Sequence, residues 1–138
     1  MSGPALKHVD SHKAIHEAAL NEAIEMTNFL DKLVNDNHTK KALELAYVIV
    51  EQWETRTLRH AEAEEEGLYK ELVEEKPELN EDIVALTRDH NLLRIIINDI
   101  KSILKNDGIN DEVVQKFQSL IIVDELHNQK EMEVLPEH

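Results

Sequence analysis

Apolar positions recur along this chain in alternating steps of three and four, the spacing of one face of an α-helix. Four stretches carry the pattern, over roughly 5–34, 39–75, 80–105 and 111–135. The first reads Val9, Lys13, His16, Leu20, Ala23, Thr27, Leu30 and Val34. The second reads Ala42, Ala46, Ile49, Trp53, Arg56 or Thr57, His60, Glu64 and Gly67. The third reads Ile83, Leu86, His90, Leu93, Ile97, Ile100 and Leu104, and the fourth Val113, Phe117, Leu120, Asp124, His127, Glu131 and Val134. Between them lie Asn35-Asp36-Asn37, then Lys76-Pro77 with Asn80, then Asn106-Asp107-Gly108. Pro77 cannot continue a helix, and Gly108 suits a left-handed helix end. Asn110 followed by Asp111 and Glu112 reads as an N-cap with an acidic first turn. Four helices with short links predict an all-α, antiparallel up-down-up-down four-helix bundle, one domain over 1–138.

Six polar residues interrupt these stripes where a bundle wants leucine. His16, His60, His90 and His127 each occupy a different helix, and Glu64 and Glu131 follow His60 and His127 by one turn. Antiparallel neighbours meet at positions equidistant from their turn. His90 and His127 are nearly equidistant from the third turn, Glu64 and His90 from the second, and His16 and His60 from the first to within one helical turn. All four histidines are therefore expected to point inward at one height, with both carboxylates within reach of the same centre. One histidine on an apolar face is ordinarily a core histidine with an everyday hydrogen bond. Four at one level, two of them followed by a carboxylate at i+4, call for a common partner, because burying unpartnered polar groups costs several kcal/mol each. Imidazole and carboxylate without sulfur suit iron, manganese or zinc, and two carboxylates able to bridge suggest two ions.

Composition narrows the alternatives. The chain has 138 residues, 41% hydrophobic and 4% aromatic, with 3 Gly and 3 Pro, which favours long helices over strands. Its net charge of −14 opposes binding to nucleic acid or to an anionic membrane and favours cation capture, though much of it reads as solvated helix surface. The absence of cysteine excludes disulfides, iron–sulfur clusters, thiolate zinc sites and a cysteine nucleophile, and fits a reducing, cytoplasmic interior. Met1, Ser2, Gly3 and Pro4 lead into charged residues without the apolar core of a secretory signal, and no apolar run approaches membrane-spanning length.

The run His60-Ala61-Glu62-Ala63-Glu64-Glu65-Glu66-Gly67-Leu68-Tyr69 and the run His127-Asn128-Gln129-Lys130-Glu131-Met132-Glu133-Val134-Leu135-Pro136 share one pattern: His, three residues, paired or near-paired acids, then apolar residues. Together with Asp89-His90-Asn91-Leu92-Leu93-Arg94 and His16, they resemble the hemerythrin-like (HHE cation-binding) domain family over essentially the whole chain. The resemblance implies a non-heme centre of two iron ions, oxo- or hydroxo- and carboxylate-bridged, with Glu64 and Glu131 bridging and the histidines terminal; zinc or manganese are the substitutes such donors also accept. It further implies binding or sensing of O2, or of a related small ligand such as nitric oxide or peroxide.

Two departures from the family pattern stand out. The oxygen carriers usually have a histidine where this chain has Arg94, and an aspartate five after the fourth-helix histidine where this chain has Glu131 at four. Coordination positions are then left for an exogenous ligand or a further protein donor, for which His12, Glu65 and Asp124 are the candidates. Asp124 reads equally as an acceptor orienting a ligand imidazole or as an interior ion-pair partner of Arg56. Glu62, Glu65 and Glu66 read otherwise as solvated face, His8, His38 and His138 as surface, Trp53 and Phe117 as core filler rather than electron relays, and Tyr69 as packing rather than a gate at the open end. A metal- and oxygen-binding protein is the first functional expectation. An iron-handling protein or a di-iron oxidase or peroxidase using the same site is the second, and a metal-free interaction bundle the third.

Overall fold

In the computed structural model, the backbone of residues 2–135 and the side chains of residues 13–135 are described. The first arm is α1 (Ser2–Asn35). The second arm runs through α2 (Thr39–Gln52), a π-helical turn (Trp53–Leu58), α3 (Arg59–Glu66) and α4 (Leu68–Glu75). A 3₁₀ turn (Pro77–Leu79) leads into the third arm, α5 (Asn80–Asn106), and α6 (Asp111–Val134) is the fourth. There is no strand among the described residues, and no helix among them is long and apolar enough to cross a membrane. Main contacts join α1 to α2, α1 to α6 and α5 to α6, as an up-down-up-down helical bundle requires.

The predicted stripes supply the core, with local exceptions. Ala19, Ala23, Thr27, Leu30 and Leu33 face inward from α1, but Lys13 is exposed and drops out of the stripe. The stretch 39–75 is not one continuous helix, contrary to its periodicity. It passes through the π turn, where the Thr55 hydroxyl donates to the Glu51 carbonyl at 2.8 Å and so competes with the helical ladder. A π turn holds one residue more than an α turn, which rotates the following side chains around the axis. Ala61 thereby takes a fully buried position, His60 moves to the rim, and Arg56 swings out to pair with exposed Glu22. A second break falls at Gly67, which leaves helical geometry at φ −114 and ψ −85.

At the third turn the expected caps form. Gly108 has φ +78, and the Asn110 side chain accepts from the Val113 N–H at 3.1 Å. Replacing Asn110 with Ala is expected to lower stability by about 1 kcal/mol, the usual loss for an N-cap. A urea midpoint unchanged from the wild type would show that the cap carries nothing.

The apolar interior is split in two. A larger cluster includes Leu30, Ile49, Trp53, Leu93, Ile97, Phe117 and Leu120. A smaller one comprises Tyr69, Leu72, Ile83, Leu86 and Leu135. His90 lies between Leu86 and Leu93 on α5, and His127 and Glu131 lie between Leu120 and Leu135 on the fourth arm. A polar layer therefore separates two dry plugs, one on each side.

Candidate metal centre

The four arms bring the six expected residues into one layer. Ring centroids of His90 and His127 are 4.5 Å apart, those of His16 and His60 5.1 Å, and those of His16 and His127 6.4 Å. Glu64, His90, His127 and Glu131 are each no more than 3% exposed. His16 and His60 sit nearer the edge, with side chains 15% and 21% exposed.

The carboxylates lie among the imidazoles. Glu64 has His90 Nε2 at 3.5 Å, His60 Nε2 at 3.8 Å and His16 Nε2 at 4.0 Å. Glu131 has His127 Nε2 at 3.3 Å and His16 Nδ1 at 3.6 Å. Donor atoms of Glu64, His90, His127 and Glu131 fall within 4.8 Å of one another, and so do those of His16, His60 and Glu64. These are two groups, each able to hold a metal ion, that share Glu64.

Three residues around this layer, Tyr69, Glu65 and Asp89, make contacts that the apolar periodicity does not anticipate. Tyr69 donates its hydroxyl to Glu131 Oε2 at 2.5 Å and stacks on His90 with centroids 5.6 Å apart and planes 7° from parallel. His90 donates from Nδ1 to Glu65 Oε2 at 2.7 Å, and His127 from Nδ1 to Asp89 Oδ2 at 3.1 Å. Glu65 is thus not solvated face, and Tyr69 does more than fill space. Periodicity does not reach Glu65, named above only as a candidate further donor, or Asp89, because both lie off the apolar stripe and each reaches a histidine on another arm. The one available signal was adjacency: Glu65 follows Glu64, and Asp89 precedes His90.

The remaining candidates divide differently. Asp124 is buried at 4% exposure but belongs to neither donor group, and Arg56 pairs with Glu22, so no Arg56–Asp124 ion pair forms. Arg94 does not enter the layer; its guanidinium grips Glu65 from outside. His38 is exposed. The side chains of His8, His12 and His138 lie outside the described residues.

Burial and close-packed ionisable groups shift several of these residues away from their ordinary protonation. Burial, reinforced by the facing Glu131 carboxylate, pushes the Glu64 carboxyl far above the usual range. Burial pushes Glu131 the same way, but hydrogen bonds from His127, Glu64 and Tyr69 and the charge of His16 hold it below that range. Two buried carboxyls facing each other are harder to ionise together than singly, so the pair retains a proton. Burial and the neighbouring His127 push His90 down to about 4. His127 is raised, because its bonds to Glu131 and Asp89 outweigh burial. Burial raises Asp124 to about 6, against the attraction of His127.

The donor chemistry fits a cation. With Nδ1 of both buried histidines donating outward, their Nε2 atoms turn inward and face each other at 3.1 Å. Two nitrogens each ~2.1 Å from one cation, at right angles, stand ~3 Å apart. A cation placed here would meet nitrogen and carboxylate oxygen only, a set that suits iron, manganese or zinc.

No curated protein and no solved structure matches the chain. A family model, that of the hemerythrin HHE cation-binding domain, matches residues 7–136. That match spans nearly all of the chain and includes all four arms and the whole buried histidine–glutamate layer, so the chain belongs to the hemerythrin HHE cation-binding domain family.

Proposed function

We propose that this protein holds two iron ions in the buried layer and binds or senses O2, or a related small ligand such as nitric oxide or peroxide. The observation that carries this reading is the pair of donor groups sharing Glu64. His90, His127 and Glu131 serve one position, His16 and His60 the other, with Glu64 between them and Glu131 reaching towards His16. Two ferrous ions, when bound, would supply the electrons that reversible binding of such a ligand needs. The chain's own residues set the conditions. Glu64 and Glu131 balance the cations, and the pair gives up the proton it retains as they load. Leu86 and Leu93, one turn to either side of His90 and fully buried, keep water from the layer. Tyr69 holds Glu131 in place through its hydroxyl.

A second reading, a di-iron oxidase or peroxidase, is favoured by one observation: an oxidisable phenol, Tyr69, lies against both Glu131 and His90. Metal analysis and visible spectra of the iron-loaded protein separate the readings. The binding reading expects two irons per chain and visible bands that appear under oxygen and vanish when oxygen is removed. Sustained turnover of peroxide selects the enzyme instead. A protein that takes up no iron under anaerobic ferrous loading refutes both.

A further inference from the structure

We propose that Arg94, acting through Glu65, is a positioning residue that makes the two cation positions unequal, the buried one holding its ion tightly and the edge one exchanging it. The inference rests on the cation centre proposed above. Glu65 Oε2 accepts from His90 Nδ1 at 2.7 Å and from an Arg94 guanidinium nitrogen at 2.8 Å, and Glu65 Oε1 takes a second guanidinium contact at 3.4 Å. Arg94 is itself steadied by Asn91 Oδ1 at 2.9 Å, one turn back on α5. A two-pronged grip of this kind fixes the plane of a carboxylate in a way a lysine ammonium does not.

The consequence for His90 is geometric. Its Nδ1 proton is committed to Glu65, so the lone pair of Nε2 aims inward, 3.5 Å from Glu64 Oε1 and 3.1 Å from His127 Nε2. Asp89 does the same for His127 from the other side. Both imidazoles of the buried position are therefore oriented in advance, and a ligand held ready loses less freedom on binding a cation. Glu65 comes from α3 and Arg94 from α5, so the brace ties the two arms that carry Glu64 and His90. His16 and His60 meet edge to face on the opposite side of the layer, and both are partly exposed. Solvent and a competing chelator reach that position first.

The test loads the full chain with zinc(II) and follows its release into an excess of a chromogenic chelator. The wild type is expected to release zinc in two phases of similar amplitude, fast and slow. Arg94→Ala and Glu65→Ala are expected to speed the slow phase by about ten- to a hundredfold, the usual loss when an outer partner of a ligand is removed, and to leave the fast phase alone. Glu65→Gln, which still accepts from Nδ1–H, is expected to recover part of the slowness. His60→Ala is expected to lose the fast phase and keep the slow one. A single phase in the wild type, an unchanged slow phase in Arg94→Ala, or equal acceleration of both phases would overturn the proposal and leave the cation centre standing. A wild-type chain that takes up neither zinc nor iron would instead overturn the centre itself.

Discussion

Glu131→Ala is expected to empty the centre while leaving the helices in place. Glu131 is 2% exposed, lies within 3.6 Å of both His127 and His16, and receives the Tyr69 hydroxyl. In the proposed centre, removing it takes away one of the two carboxylates assigned to balancing the cations. The loss in affinity is expected to exceed the roughly hundredfold upper range seen when an outer partner is lost. The metal-free fold is affected much less. Tyr69 loses its acceptor, which costs about 1–3 kcal/mol for a buried hydroxyl. In compensation, Glu64 no longer faces a second carboxylate. Glu131→Gln separates the two effects, because the amide still accepts from Tyr69 but carries no charge. Both variants are expected to show wild-type helical circular dichroism and little bound iron. If both keep the wild-type metal content, Glu131 is not a ligand.

Stripping the metal is expected to destabilise the protein, and more so as pH rises above neutrality. A bound ion stabilises by RT ln(1 + [L]/Kd), about 4 kcal/mol when free metal exceeds Kd a thousandfold. The pH dependence belongs to the metal-free state. Glu64 is raised on folding, so above the usual carboxylate range the folded chain holds a proton that the unfolded chain has released. Its contribution is full below that range and is lost as pH rises towards the raised value. His127, also raised, acts in the same direction. His90 is lowered to about 4, so its contribution is lost as pH falls below the ordinary histidine range and is constant above it. Above pH ~7 only the raised groups still titrate, and the metal-free fold loses at most about 1.4 kcal/mol per pH unit for one proton. A cation replaces that proton, and the decline disappears. The gap in melting temperature between loaded and chelated protein should therefore widen from about pH 7 to about pH 8.5. A gap that narrows over that range would mean the carboxyl pair does not hold the proton assigned to it.

How far the sequence reaches is clearest at particular residues. Thr27, His90 and Glu131 fall on strict three-four spacing and are buried as that spacing requires, because side chains one turn apart share a helix face whatever the helix packs against. Turn chemistry is equally local. Gly108 and Asn110 act through their own backbone and the next few residues, so their roles can be read without a partner. The second arm shows where this stops. Its side chains follow α-helical spacing through Trp53 and Arg56, yet the chain takes an extra residue in the π turn and breaks again at Gly67. Arg56 ends up on Glu22, and His60 ends up at the edge of the layer.

From the sequence alone came the helical stripes, their turns, and six histidine and glutamate residues at a common height, because helix periodicity and distance from a turn depend only on spacing along the chain. Only the tertiary structure decided what surrounds those donors. Glu65 with Arg94 bracing His90, Asp89 holding His127 and Tyr69 bonding Glu131 are all contacts between different arms, set by how each helix is rotated about its axis against its neighbours. One residue of π turn changes that rotation for everything after it, and no count of apolar positions records it.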